Sequence, residues 1–439
     1  MRMSVIGTGY LGATHAAGMA EAGHEVLGVD VDPARVAALA GGEAPFHEPG
    51  LPELLRRHVA SGRLRFSTDP AEAAEFARLH FIAVGTPQVK GSHAADVRHV
   101  DAVVEELVPR LRGEHVLLGK STVPVGTAAR LQDRADALAA AGATVEVGWN
   151  PEFLREGRAV ADTLRPDRLV LGVDPDRGGA AEAAARECYA PLLAAGIPLL
   201  VLDLPTAELV KVAANAFLAT KVSFINAVAE VCEAAGADVV ELSRALGHDP
   251  RIGARYLHAG LGFGGGCLPK DIRAFMHRAG ELGADQALAL LREVDAINIR
   301  RREKVVGMVK AAFGGLALGR RVAVLGAAFK PDSDDVRDSP ALSIAGQLAL
   351  AGAEVRVHDP EAMGNARRVF PTLDYRDSVG EAVAGAELVV VATEWRVFRE
   401  LDPAAVGALV AERRVLDARN CLDAPAWRAA GWEVTGLGR

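Results

Sequence analysis

The sequence predicts an α/β protein: two doubly wound, Rossmann-like domains joined by a long central helix and a helical segment. Three observations predict it. Short apolar runs alternate with helical stretches toward both ends of the chain, a stretch of about thirty residues in the middle has no Gly or Pro, and the pattern of the first part returns in the last.

Residues 3–30 read as a strand (MSVIG), a glycine turn (TGYLG), an alanine-rich helix to about Ala22 and a second strand (EVLGVD). HFIAVGTP (80–87), HVLLGKSTVPVG (115–126) and VEVGWNPEF (145–153) are further apolar runs ending in polar or glycine-containing turns, with helical stretches such as DVRHVDAVVEELVPRL between them. Such alternation predicts a parallel sheet covered by helices on both faces. From Thr206 to about Ala235 apolar residues recur every three or four positions, which predicts one long helix, followed by more helices to about residue 313. Its apolar abundance predicts burial against a partner subunit as well as its own domains. From Arg321 the α/β pattern returns: VAVLGAAF echoes SVIGTGY, EVRVHDP echoes EVLGVDVD, and GAELVVVATEW echoes ARLHFIAVGTP. Gly7 to Asp30 spans 23 residues and Gly326 to Asp359 spans 33, the insertion KPDSDDVRDSP supplying the difference. The expected divisions are 1–203, 204–314 and 315–439, with a cleft between the two Rossmann-like domains where two nucleotide-containing ligands meet.

Composition narrows the function. Of 439 residues half are hydrophobic, and no run of 18 or more is uninterruptedly apolar, which predicts a soluble protein of two or three domains with no membrane partner. The formal charge of -8 arises from interspersed acids and bases, so no block holds a phosphate backbone and nucleic acid is not an expected partner. Met1 leads straight into an apolar strand without a leader pattern, and a cytoplasmic location is expected. Cys188, Cys232, Cys267 and Cys421 are too few and scattered for a disulfide framework, and none has CxxC spacing, so reduced thiols and no metal site are expected.

Gly7, Gly9 and Gly12 form GTGYLG between a strand and a helix, which lets backbone approach a pyrophosphate at the helix N-terminus. Asp30 ends the next strand, where an acid accepts a hydrogen bond from an adenosine ribose and repels a 2′-phosphate; NAD is therefore expected rather than NADP. The stretch LGFGGGCLPKDIRAF (261–275) puts four glycines before Cys267, allowing close backbone approach, and Pro269 suits the first turn of a following helix. A thiol just outside a helix N-terminus with Lys270 nearby has a raised thiolate fraction, and Asp271 in the first turn is placed to take a proton or order a water. A structural cysteine in a glycine-rich loop is the plainer alternative. Cys188, Cys232 and Cys421 have no such setting and read as small apolar fillers. Lys211 and Asn215 share a face of the long helix, either as a solvated edge or as a pair aimed into a cleft. Glu152 and Glu156 in NPEFLREG (150–157) read equally as ordinary charges in a first helical turn, and Ser121 and Thr122 in KSTVPVG (120–126) lie at a strand end, where open α/β sheets place ligands.

Taken together, GTGYLG, GVDVD, VGTP, KSTVPVG, NPEFLREG, ELVKVAANAFLA, RIG, GFGGGCLPKD, LGAAFKPDSDDVRDSP, ATEW and LDARN span nearly the whole chain. In this order they resemble the UDP-glucose/GDP-mannose dehydrogenase family, most strongly its UDP-glucose 6-dehydrogenase branch. The resemblance implies a four-electron oxidation of the C6 hydroxymethyl of a nucleotide-hexose, UDP-glucose to UDP-glucuronate, with two NAD used in succession. It implies an aldehyde captured by Cys267 as a thiohemiacetal, a second hydride transfer to a thioester, and hydrolysis. It further implies that Lys211, assisted by Asn215, stabilises an oxyanion, that Asp271 and Thr122 position water and move protons, and that Glu152 is a base for hydrolysis. For NAD it points to Gly7, Gly9, Leu11, Gly12, Asp30, Arg35, Thr86, Thr122, Glu156, Lys270 and Arg337, and so to residues 1–203 as the NAD domain. For the nucleotide-sugar it points to Glu152, Phe153, Leu154, Arg155, Lys211, Asn215, Arg251, Tyr256, Gly260, Gly264 and Lys330, with residues 315–439 as the sugar-nucleotide domain. The central segment would then carry catalysis and a homodimer or higher homo-oligomer, with Arg251 reaching across its interface. Gly266 stands where many members have Ser, His258 replaces a lysine of some relatives, and Asn420 replaces the second arginine of an RR pair. TDP-glucose, GDP-mannose and UDP-N-acetylmannosamine are the alternative substrates. A two-electron hydroxyacid-type dehydrogenase and a non-catalytic nucleotide-sugar sensor are the alternative functions.

Overall fold

The computed structural model describes residues 1–177 and 179–439. It contains two separate sheets. The first runs β1 (Arg2–Ile6), β2 (Glu25–Val29), β3 (Leu64–Ser67), β4 (Leu79–Ile82), β5 (Glu114–Gly119), β6 (Thr144–Trp149), β7 (Leu169–Val173) and β8 (Leu199–Asp203), in spatial order β3-β2-β1-β4-β5-β6-β7-β8. The first six strands pair in parallel in the doubly wound order. β7 departs from the all-parallel expectation: it pairs antiparallel with β6 through Trp149 and Gly172, and β8 follows it in parallel. The second sheet comprises β9 (Arg321–Leu325), β10 (Glu354–His358), β11 (Asp374–Tyr375), β12 (Leu388–Val391), β13 (Arg414–Asp417) and β14 (Glu433–Gly436), ordered β11-β10-β9-β12-β13-β14, all parallel. The echo between the two ends of the sequence is therefore an echo of topology.

Both faces of the first sheet are buried, and side-chain alternation explains the near-continuous apolar runs. Phe81, Val116 and Leu118 join one cluster with Met3, Val5 and Leu55. Their neighbours Ile82 and Leu117 join the opposite one with Leu27, Val147 and Trp149. In the second sheet Val322, Val324, Val389 and Val391 are wholly or almost wholly buried in a single cluster with Leu342, Ile344 and Trp427.

Six helices matter for the site: α1 (Tyr10–Glu21), α2 (Thr127–Leu138), α3 (Leu204–Ala235), α4 (Leu268–Glu281), α5 (Ala289–Ala312) and α6 (Pro340–Leu350). The expected long helix is α3, starting two residues early. By length and composition it passes for a membrane-crossing helix. Glu208, Lys211 and Asn215 are nevertheless buried on it, the mark of a helix packed inside protein with its charges partnered. The chain forms two compact units, residues 1–214 with 273–283 and residues 215–272 with 284–439, so α3 and α4 each contribute to both.

Candidate active site

In the first unit, β1 runs into Gly7, whose φ of +89° and whose closeness to Val84 exclude a side chain. Gly12 lies in the first turn of α1, where a Cβ would sit 1.8 Å from the carbonyl oxygen of Gly7. Gly9, the N-cap of α1, is different: a Cβ there would meet nothing within 4 Å. Two of the glycines thus close strand onto helix, and the third leaves the helix N-terminus open to an anion, which fits the pyrophosphate of a dinucleotide. Leu11 packs on the N-terminal core from the first turn of α1. Asp30 is buried at the end of β2, its Oδ2 accepting from the Thr8 amide at 2.7 Å and its Oδ1 from the Asp32 amide at 3.0 Å. Arg35 donates to both oxygens at 3.0 Å. Burial works against ionisation, but these donors prevail and hold the Asp30 carboxyl below the usual carboxylate range. A ribose hydroxyl reaching Asp30 therefore competes with Arg35. At the end of β5 the Thr86 hydroxyl donates to the Thr122 carbonyl at 2.7 Å, and Ser121 donates to the Val84 carbonyl at 2.7 Å.

Residues 150–157 follow β6 as an irregular loop, so Glu152 and Glu156 do not lie in a first helical turn. Glu152 and Lys211 form a buried ion pair, Oε1 to Nζ 3.0 Å, and Glu152 Oε2 accepts from the Leu154 amide. The Phe153 ring meets two cations, the Arg168 guanidinium 3.9 Å and the Lys211 ammonium 5.7 Å from its centroid. Arg155 grips Asp162 through Nε and Nη2, at 2.8 and 2.5 Å. Its guanidinium is thus engaged within the protein. Glu156 is half-buried near the loop's end, where Gly157 donates to Glu48 and to the Tyr10 hydroxyl, themselves hydrogen-bonded to each other. Beneath the loop Lys120 is fully buried, its Nζ 2.9 Å from Asn150 Oδ1 and 3.4 Å from the Tyr189 hydroxyl. Burial lowers its pKa to about 8. Glu152 to Arg155, with Lys120 and Arg168, line a pocket.

In the second unit, Cys267 is exposed and sits immediately before α4, its carbonyl accepting from the Asp271 amide at 2.9 Å. Asp271 is buried in the first turn, held from both sides: Asn215 donates to Oδ2 and Lys270 to Oδ1, each at 2.6 Å. Lys270, expected to face NAD, thus points its ammonium at Asp271. The glycines before Cys267 answer to specific neighbours. A Cβ on Gly264 would meet the Asp338 carbonyl at 2.3 Å, and one on Gly266 would meet the Arg337 guanidinium. Arg337 is also bidentate to Asp335. Asp332 and Asp338 in the 330–340 loop adopt positive φ, as does Tyr256, at 66°. Gly260 donates to Asn226 and accepts from the buried Arg301. Lys330 lies over the Phe329 ring, and Arg251 is exposed on a loop, paired with Asp249. The structure therefore gathers Asn215, Lys270 and Asp271 in one cluster and Glu152, Phe153 and Lys211 in another, while Arg251 touches neither.

Sequence reading missed Tyr10, Glu48, Lys120 and Arg168, which shape the 150–157 loop, and Arg419. Arg419 donates to the Gly262, Phe329 and Ala392 carbonyls, tying the glycine loop to the second sheet. Each acts across long sequence separation and none belongs to a motif with its target, although Tyr10, Lys120 and Arg419 stand inside the recognised GTGYLG, KSTVPVG and LDARN.

Three family models match in chain order: the NAD binding domain of the UDP-glucose/GDP-mannose dehydrogenase family over residues 1–193, its central domain over 205–300 and its UDP binding domain over 323–424. The chain belongs to the UDP-glucose/GDP-mannose dehydrogenase family. It is 42% identical over 439 residues to the UDP-glucose 6-dehydrogenase of Rhizobium meliloti, with all of both chains covered. It is 41% identical to that of Pseudomonas aeruginosa, covering all of this chain and 98% of the relative. Among solved structures, a UDP-glucose dehydrogenase from Pyrobaculum islandicum superposes with a TM-score of 0.90 at 39% identity, covering 100% of this chain and 97% of that one. A UDP-D-ManNAc dehydrogenase from Pyrococcus horikoshii gives a TM-score of 0.86 at 25% identity, covering 100% and 99%. As a family member the protein is an NAD-dependent oxidoreductase acting on a nucleotide-sugar, as expected from its motifs.

Proposed function

We propose that the protein oxidises the C6 hydroxymethyl of UDP-glucose to the carboxylate of UDP-glucuronate, in two hydride transfers and one hydrolysis. The observation that carries this reading is an exposed thiol at the head of α4 with an aspartate fastened in the next turn by Asn215 and Lys270. NAD, when bound, supplies the hydride acceptor, once in each oxidation. Lys211 stabilises the oxyanion that develops at C6, and the Glu152 carboxylate beside it holds that ammonium in place. Cys267 sulfur bonds to the aldehyde carbon, making a tetrahedral adduct that still carries a hydride; its loss leaves a thioester. Water then adds to the thioester carbon, Glu152 or Asp271 takes the water proton, and Cys267 leaves as thiolate. Gly7, Gly9, Leu11, Gly12, Asp30, Arg35, Thr86, Thr122, Glu156, Lys270 and Arg337 serve the cofactor in this reading. Phe153, Leu154, Arg155, Arg251, Tyr256, Gly260, Gly264 and Lys330 serve the sugar nucleotide. The division into 1–203, 204–314 and 315–439 assigns NAD, catalysis with dimerisation, and the nucleotide-sugar to the three parts in turn. A homodimer seated on α3 is supported by Phe217, Phe224 and Val231, spaced by seven residues and 54–67% exposed. The buried charges of α3 support a helix packed inside a soluble enzyme, and a cytoplasmic location is part of the same reading.

The test is NADH formation against a panel of UDP-glucose, TDP-glucose, GDP-mannose and UDP-N-acetylmannosamine, with the product weighed by mass spectrometry. Two NADH per UDP-glucose and a uronate product are expected; one NADH per sugar would support a two-electron dehydrogenase. Cys267→Ser is expected to bind substrate and stall, and full uronate formation by this variant would refute the thioester route.

A further inference from the structure

Glu208 is a carboxylate 2% exposed on α3, one turn before Lys211, and no role above uses it. Its two oxygens accept from two backbone amides of one helix start, Oε2 from Gly126 and Oε1 from Ala128, both at 2.7 Å. That helix is α2, which begins where KSTVPVG ends. Its N-cap, Gly126, has φ +93° and no side chain, so the oxygen that Ser, Thr or Asp would supply locally comes from a different helix. On the same turn Arg278 of α4 donates to the Val125 carbonyl at 3.1 Å. The other end of the turn is held by Thr86 on the Thr122 carbonyl and Ser121 on the Val84 carbonyl. The segment carrying Thr122 is therefore pinned to the sheet at its start and to α3 and α4 at its end.

We propose that Glu208, backed by Arg278, is a positioning residue of the oxidation, locking the turn that bears Thr122 onto the helix that bears Lys211. The reach of two 2.7 Å contacts from one carboxylate fixes both the rise and the rotation of α2 relative to α3. A slip of this turn moves Thr122 relative to Lys211 while leaving the glycine cradle at α1 untouched. Burial raises the Glu208 carboxyl to about 7, against the pull of the α2 amides and of Arg278. α2 presents backbone N–H groups to it, Arg278 faces it from α4, and Lys211 follows one turn along its own helix. The clamp consequently weakens on protonation in the neutral range.

The inference rests on the proposed roles of Thr122 and Lys211, and the experiment separates the two. Glu208→Gln keeps the side-chain volume but turns an amide N–H₂ toward one of the backbone donors. We expect kcat per folded enzyme to fall about tenfold or more, KM for UDP-glucose to stay within about twofold, and the rise of kcat through pH 7 expected of the unmodified enzyme to be lost. Arg278→Met, which keeps an apolar stem but takes the donor from the Val125 carbonyl, is expected to give a smaller fall in kcat in the same direction. Wild-type kcat and pH profile in both variants would overturn the inference, as would a loss of folded protein with unchanged kcat for the fraction that folds. The unmodified enzyme is assayed alongside: no NADH from UDP-glucose there sinks the proposed function itself, whatever Glu208 does, whereas uronate formation by Cys267→Ser refutes the thioester route alone.

Discussion

Lys211 and Glu152 lie on different elements and meet as a buried pair 3.0 Å apart, so neither charge is left bare in a low-dielectric site. Removing either partner breaks this contact. Glu152→Gln is expected to lower kcat roughly 10²-fold or more, while a rapid first burst of NADH survives if the carboxylate serves the hydrolytic stage; stopped-flow absorbance reads the burst, and its loss would move Glu152 to the oxidative steps. Lys211→Met should cost about 10²–10³-fold in the first hydride transfer itself. At Gly264 the limit is steric. A Cβ would lie 2.3 Å from the Asp338 carbonyl, part of the backbone and unable to rotate away. Gly264→Ala should therefore destabilise by about 1–3 kcal/mol in denaturant titration and weaken nucleotide-sugar binding, whereas a variant with unchanged stability would show the loop to be slack.

Within the first sheet β1, β4 and β5 carry a buried polar chain: Ser4 Oγ to His80 Nδ1 at 2.7 Å, and His80 Nε2 to His115 Nδ1 at 3.0 Å. Burial, then the neighbouring His115 and Arg78, lower the His80 pKa from 6.5 to about 3. The folded protein thus refuses a proton that the unfolded chain accepts. Above pH 6.5 this makes no difference; as pH falls from there toward 3, the unfolded state gains protons and stability is lost. Denaturant midpoints between pH 7.5 and 5 are expected to decline, and His80→Leu should flatten that decline; an unchanged slope would assign the acid sensitivity to other groups. The glycine turn at α1 is legible at this same scale, because the three residue choices at Gly7, Gly9 and Gly12 follow from one local geometry. The clamp on the 150–157 loop is not, because Tyr10 and Glu48 reach Gly157 from other elements.

Across the whole chain, α3 presents Phe217, Phe224 and Val231 as an exposed apolar stripe, more than a solvated helix needs. The proposed homodimer would bury it against a second copy. If that dimer forms, Phe217→Glu with Phe224→Glu is expected to give monomers in analytical ultracentrifugation where the unmodified chain gives dimers, and the same sedimentation coefficient for both would overturn an interface on α3. Both sheets repeat the order expected of doubly wound domains. The antiparallel β7, by contrast, was not legible, because its apolar run reads the same in either direction and only its pairing with Trp149 sets its sense.

By itself the sequence determined the two α/β halves, the long helix, the glycine turn at α1 and the glycine-rich loop before Cys267, because each is written in residues close together whose periodicity or glycine content has one cheap conformation. Only the tertiary structure decided the partners: Glu152 with Lys211, Asn215 and Lys270 with Asp271, Arg155 with Asp162, and Glu208 with the head of α2. Charged side chains far apart in sequence carry no local signal of whom they will face. Burial compels them to find a partner, and strand order and helix packing choose which one.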